Sequence, residues 1–433
     1  MTSEPHRVTR WLSSARPAVF NGYCIAAAFI TYFCMYAFRK PFAVGTFDGQ
    51  TDVPGLGAVD TKIVLIVSQI LGYTCSKFLG IKVVSEAKHD RRAITILGLI
   101  GFAHLALLIF PLVPRSAGAF FLFCNGLPLG MVWGLVFSFL EGRRSTELLG
   151  AGLSTSYIVA SGMVKSTGRG IIDMGVPEAW MPFVTGLVFL PLLLIALKML
   201  SLIPPPTEED VALRTERKPM DSASRREFVR RYAPGLVALT VFYMALTAYR
   251  DFRDNFAREI WDAVGYSGQK MQFTASEAPI AVIVLVVLAL VMLIKDNRTA
   301  TTVIHGILVL GAVMIGAATA LFQLELISPL AWMISVGLGL YLGYVPFGCV
   351  LFDRVIAETR FVGTAGFMIY VTDAFGYLGS VGLLLYKNFA QPNLSWLEFF
   401  IGFSYFTSIS CGVGFLASLI YFHWKTAPDS SEG

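Results

Sequence analysis

Twelve stretches of this chain are each long and apolar enough to cross a lipid bilayer, and they dictate what the rest can be. A bilayer core takes about 20 predominantly apolar residues per helix. Such segments fall at roughly 18–47, 61–85, 93–113, 117–140, 148–174, 180–203, 233–261, 274–294, 300–323, 328–352, 362–388 and 397–423. Hydrophobic residues make up 55% of the 433 and charged residues 15%, against about 25% charged in soluble domains. A water-soluble fold could not hide that much apolar side chain, so an all-α, multi-pass membrane protein is expected. The net charge of +5 is scattered rather than clustered, which argues against nucleic-acid binding. Cys24, Cys34, Cys75, Cys124, Cys349 and Cys411 all lie in apolar segments at no metal-ligand spacing and read as small core residues. The five histidines are dispersed and no nucleophile–base constellation is visible, so no metal, cofactor or enzymatic activity is expected. The polar, basic first residues run straight into the first apolar stretch, with no cleavable signal peptide expected.

Lysine and arginine placement sets the orientation. With the N-terminus inside, 21 Lys/Arg fall on that side and 5 on the other (Lys62, Arg115, Arg258, Lys270 and Lys387). Both termini are therefore expected in the cytoplasm, in a bacterial inner or plasma membrane. The longest polar stretch mixes both charge signs with Pro and Ser and reads as a connector. It divides the chain into an N-terminal six-helix bundle (1–203), a cytoplasmic connector (204–232) and a C-terminal six-helix bundle (233–433).

The two halves repeat each other. Gly126, Leu127, Leu129, Gly130 and Val132 match Gly339, Leu340, Leu342, Gly343 and Val345 at an offset of 213 residues. The same offset pairs Tyr36 with Tyr249, Thr146 with Thr359, Gly150 with Gly363 and Tyr157 with Tyr370. One residue further on, Arg39, Phe42 and Ala43 match Arg253, Phe256 and Ala257. Thr, Tyr and Arg matches in one register are not produced by apolar bias. Two parallel six-helix halves resemble the major facilitator transporters, which bind substrate at the midplane between them. The loops His89–Ala93 and Lys295–Thr299 resemble the second half of that superfamily's Asp-Arg loop motif.

Charges inside the apolar segments carry the functional reading, because each costs roughly 2.5–3.5 kcal/mol at a bilayer centre on insertion scales. Tyr32, Tyr36 and Arg39 share one helix face, with Lys40 adjacent. Snorkelling of Arg39 and Lys40 to the surface is the competing reading. Gln69, Tyr73 and Lys77 form one polar stripe at steps of four; Tyr157, Ser161, Lys165 and Arg169 form another. Arg250 and Asp254 are expected to pair, with Asp251 at hand, which leaves open whether Arg250 or Arg253 faces substrate. Asp373, flanked by Tyr370 and Tyr377, reads as a counter-ion or as the carrier of a coupling proton. A surplus of fixed cations in low dielectric suits an anion, and guanidinium matches phosphate or carboxylate bidentately.

Three motifs bear a more specific likeness. YAFRKPFAVG (Tyr36–Gly45), YTCSKFLG (Tyr73–Gly80) and NGLPLGMVW (Asn125–Trp133) resemble first-, second- and fourth-helix motifs of the organophosphate:phosphate antiporters. The resemblance implies that Arg39 and a seventh-helix arginine grip a phosphoryl group and that Lys77 lies close by. The family carries a His near the position of Lys165. Tyr36, Trp133 and Tyr370 complete the expected binding set, with Asp254 and Asp373 as counter-ions. At the inner helix ends Glu141, Arg143 and Arg144, repeated as Asp353 and Arg354, are expected to latch the cytoplasmic side; interfacial solvation is the competing reading. The expectation is a monomeric secondary transporter of a small organic anion. The alternatives are a proton-coupled symporter using Asp373 and a transporter-like membrane sensor.

Overall fold

A computed structural model of the chain describes residues 6–53, 55, 57–86, 91–143, 145–207, 210, 222–269, 271–359, 366–391 and 393–425. The long helices are α1 (Pro17–Tyr36), α2 (Thr61–Glu86), α3 (Arg92–Ile109), α4 (Arg115–Leu129), α5 (Thr146–Asp173) and α6 (Met181–Ser201). They continue as α7 (Ser222–Asn255), α8 (Gln272–Met292), α9 (Asn297–Gln323), α10 (Pro329–Cys349), α11 (Gly366–Leu385) and α12 (Trp396–Lys425). Each coincides with one expected span. Among the described residues ten helices are long and apolar enough to cross a membrane; α5 and α11 fall outside that set. In α5 the cause is its polar stripe, which includes Ser154, Thr155, Ser156, Ser161 and Lys165, all buried.

Helix starts follow local chemistry. Pro17 and Pro329 occupy first-turn positions where a missing N–H costs nothing. Asp296 caps α9 by accepting from the Thr299 N–H at 2.7 Å, and Ser328 caps α10 from Ala331 at 3.2 Å. The outward faces are apolar. Phe406, Ile409, Val413, Leu416 and Ile420 form a stripe along α12 that is 49–68% exposed. A continuous apolar stripe of this kind suits a lipid neighbour rather than water. Cys75, expected in the core, instead joins Leu71, Phe78 and Leu79 on the exposed face of α2, because the buried face of that helix is taken by Gln69, Tyr73 and Lys77.

By its contacts the chain forms two compact units. The first comprises Met1–Arg214, Asp254–Ala281 and Leu384–Pro392; the second comprises Thr215–Arg253, Val282–Leu383 and Asn393–Gly433. The repeated glycines have a packing origin in both. A Cβ on Gly126 would strike the Gln69 carbonyl of α2, and one on Gly339 would strike the Gly311 carbonyl of α9. Backbone-to-backbone contact of this kind is what small residues permit between membrane helices.

Several expected spans are broken. The first ends at Tyr36 and continues as a turn and a 3₁₀ segment, Pro41–Val44. The fourth ends at Leu129 and resumes as Val132–Phe137. The seventh ends at Asn255, and a short helix, Ala257–Ala263, follows. A hairpin of β1 (Gln50–Val53) and β2 (Gly57–Asp60) joins α1 to α2 and was not expected.

Candidate functional site

The broken end of α1 builds the site in the first unit. Leaving the helix exposes carbonyls that lipid or apolar core cannot satisfy. The Asn125 amide donates to Phe38 O at 2.9 Å and to Ala103 O at 3.0 Å. Gln69 donates to Arg39 O at 3.1 Å and to Asn125 Oδ1 at 2.7 Å. The asparagine of the fourth-helix motif therefore holds the turn that presents Arg39 and Lys40. Both cations are 2% exposed, which excludes the snorkelling alternative.

Arg39 stacks on the Tyr73 ring with its guanidinium carbon 3.7 Å from the centroid, and Lys77 Nζ lies 5.3 Å from the same ring. Lys40 Nζ meets Asp254 Oδ2 at 2.5 Å, and Lys165 Nζ meets Asp254 Oδ1 at 2.5 Å. The Ser161 hydroxyl also donates to Oδ1, and Lys40 donates to Asn255 Oδ1 at 3.1 Å. One carboxylate is thus shared by two ammonium groups. Tyr36 and Tyr157 sit edge-on to Tyr32 at 5.6 and 6.5 Å, while Trp133 stacks on Phe137 at 5.0 Å.

These contacts correct two expectations. Asp254 does not pair with Arg250, because α1 and α5 deliver two lysines to it. Arg169 belongs to the end of α5, where it pairs with Asp173 at 3.2 Å. The buried acid Glu277 on α8, 4% exposed, gave no signal in the sequence reading. Arg39, Lys40, Lys77 and Lys165 outnumber Asp254 and Glu277 by two formal charges.

The second unit holds a balanced cluster. Arg250 bonds Asp251 Oδ1 at 2.9 Å, the Tyr377 hydroxyl at 3.0 Å and the Tyr344 hydroxyl. Its guanidinium lies 4.5 Å from the Tyr344 ring centroid. The Tyr243 hydroxyl donates to Asp373 Oδ1 at 2.7 Å, and its ring stacks on Tyr344 at 4.9 Å. Arg253 donates to Met333 O at 2.9 Å. The side chain of Tyr370 and all of Arg144 lie outside the described residues.

At the inner-end positions, Arg143 donates to Pro204 O and lies 5.0 Å from the Phe20 ring. Glu141 is exposed and Asp353 half-buried. Arg354 donates to Asn297 Oδ1 at 3.1 Å, at the start of α9.

A second set of ion pairs in the first unit was missed. Lys62 pairs with Glu259 and donates to Ala43 O at 3.0 Å. Arg258 donates to Val44 O at 2.6 Å and to Glu178 Oε1 at 3.3 Å. Glu178 also accepts from the N–H groups of Thr46 at 2.9 Å and Phe47 at 3.1 Å. Burial acts to raise the Glu178 carboxyl, but these two N–H groups, the Thr46 hydroxyl and Arg258 outweigh it and hold it below its ordinary value. The segment after α7 is thereby tied to the loop after α1. No sequence spacing points to these pairs, since their partners lie 80 to 197 residues apart.

The sequence matches the family described as "family of unknown function (DUF5690)" over residues 41–425. The chain belongs to DUF5690. No curated protein matches it by sequence. Among solved structures, a D-xylose–proton symporter aligns with this DUF5690 chain at a TM-score of 0.61 and 13% identity, covering 96% of this chain and 99% of that one. A mutant of the peptide transporter POT in complex with sulfate aligns at 0.60 and 14% identity, over 96% of this chain and 98% of that one. This DUF5690 member is a multi-pass integral membrane protein with the major facilitator fold. These likenesses support the fold and do not reach the organophosphate antiporter subfamily.

Proposed function

We propose that this DUF5690 protein is a secondary transporter that moves a small organic anion by alternating access, with phosphorylated compounds as the favoured class. The observation that carries the reading is the gathering of Arg39, Lys40, Lys77 and Lys165, all buried, among the described residues of the first unit. Lys40 and Lys165 share the single carboxylate of Asp254, while Arg39 and Lys77 gather on one tyrosine ring. Cations gathered in an apolar bundle suit an anionic ligand, and a substrate phosphate or carboxylate is one. Arg250, bonded to the Tyr344 and Tyr377 hydroxyls, is the candidate anion contact within the second unit. The protein works as a monomer with both termini in the cytoplasm.

The test is uptake of radiolabelled glycerol 3-phosphate and hexose phosphate into proteoliposomes preloaded with phosphate. Arg39→Ala abolishes exchange while the variant still reconstitutes; near-normal exchange in that variant refutes the anion reading. A proton-coupled cycle is favoured by one contact, the Tyr243 hydroxyl on the half-buried Asp373. In that case an imposed pH gradient drives uptake, and Asp373→Asn removes the gradient dependence.

A further inference from the structure

The hairpin end of the first unit holds a partly open cavity of about 380 Å³, within the roughly 300–1,000 Å³ of small-molecule sites. Its walls are assembled from separate segments: Phe47 and Asp48 after α1, Leu65 on α2, Phe110 after α3, Arg115 on α4 and Glu178 before α6. Two features distinguish it from a packing gap. First, Phe47 adopts φ 46°, a left-handed conformation that is an outlier for an aromatic residue. Its N–H is held by Glu178 Oε2 at 3.1 Å and its ring sits edge-on to Phe110 at 6.0 Å, so the strained residue becomes part of the wall. Second, the apolar lining of Phe47, Leu65 and Phe110 ends in two opposite charges. Asp48 and Arg115 are both exposed, and Arg115 Nη1 donates to the Asp48 main-chain carbonyl at 3.1 Å, which fixes the guanidinium beside that residue.

From this arrangement we infer that the cavity binds a zwitterion with an apolar body. The ammonium group meets the Asp48 carboxylate, the anionic group meets the Arg115 guanidinium, and the hydrocarbon rests on Phe47, Leu65 and Phe110. Arg115 suits a carboxylate or phosphate oxygen pair. The same chemistry is offered by a free apolar amino acid and by a phosphatidylethanolamine headgroup. This site does not depend on the transport reading.

The test is thermal stability of the full chain in detergent, titrated with L-phenylalanine, phenethylamine, 3-phenylpropionate or phosphatidylethanolamine in mixed micelles. Binding to the folded state raises the melting temperature by mass action. L-Phenylalanine is expected to stabilise the protein at concentrations at least tenfold lower than either singly charged analogue. Asp48→Asn and Arg115→Gln each weaken that effect tenfold or more, read as the ligand-induced shift from each variant's own unliganded melting temperature. Stabilisation by the phospholipid alone, lost in both variants, supports the same chemistry and assigns its source to the membrane. No shift with either zwitterion at millimolar concentration, equal shifts with the singly charged probes, or shifts unchanged in both variants would overturn the inference.

Discussion

Asp254 is one carboxylate between two lysines, and that asymmetry makes it the most consequential single side chain in the first unit. Breaking a buried ion pair costs about 3–5 kcal/mol when a charge is left uncompensated. Asp254→Asn takes the carboxylate from both Lys40 and Lys165, whereas Lys165→Met leaves Asp254 paired with Lys40. The aspartate variant should therefore show the larger fall in melting temperature, and equal losses would contradict the shared-carboxylate geometry. Glu178 offers a pH test. Its carboxyl is held below the ordinary value, so its bonds to Thr46, Phe47 and Arg258 contribute at and above the usual glutamate pKa of about 4.3. They are lost as pH falls through the lowered value. The melting temperature of Glu178→Gln should lie below wild type from about pH 7 down to about pH 4, and the two should converge under more acidic conditions. A gap that closes near neutrality would contradict the assignment. The burial of Arg39, Lys77 and Lys165 was legible in the sequence because a charge inside an apolar helix is conspicuous and a step of four residues fixes its face. Their partners were not, since Lys40 and Asp254 are separated by more than two hundred residues, and local spacing pointed Asp254 to Arg250 instead.

At the scale of elements, the site depends on how a helix is allowed to stop. Asn125 satisfies the carbonyls of Phe38 and Ala103, and each buried group left unsatisfied costs about 1–3 kcal/mol. Asn125→Ala should lower the melting temperature and also weaken anion binding, because the Arg39 backbone loses its anchor through Gln69. Loss of stability with unchanged binding would mean that the broken end of α1 does not position Arg39. The repeated glycines make a separate prediction. Gly126→Ala and Gly339→Ala each drive a methyl into a neighbouring carbonyl, and both should reduce the folded yield in membranes; normal yield from either would contradict the close approach at that position. The glycine repeat was legible in the sequence, but its cause needed the facing backbones of α2 and α9. The break after Leu129 was not legible, since apolar residues continue through it and hydropathy does not register a change of backbone conformation; the break after Tyr36 carries a local mark in Arg39, Lys40 and Pro41. The hairpin at Gln50–Asp60 is too short and polar to leave a periodic signal.

For the whole molecule, hydropathy and internal repetition were sufficient to specify the architecture, because a bilayer admits few ways to satisfy a backbone. What they did not specify is the distribution of charge. The sequence reading spread the surplus over the chain, whereas the described residues concentrate it in the first unit and leave Arg250 and Arg253 balanced by Asp251 and Asp373. An anion is therefore the expected ligand. The direct measurement is the melting temperature of the purified protein, at constant ionic strength, with glucose 6-phosphate or with glucose. The phosphorylated sugar should stabilise wild type, the neutral sugar should not, and Arg39→Gln should abolish the difference. Equal stabilisation by glucose, or a phosphate effect that survives Arg39→Gln, would contradict it.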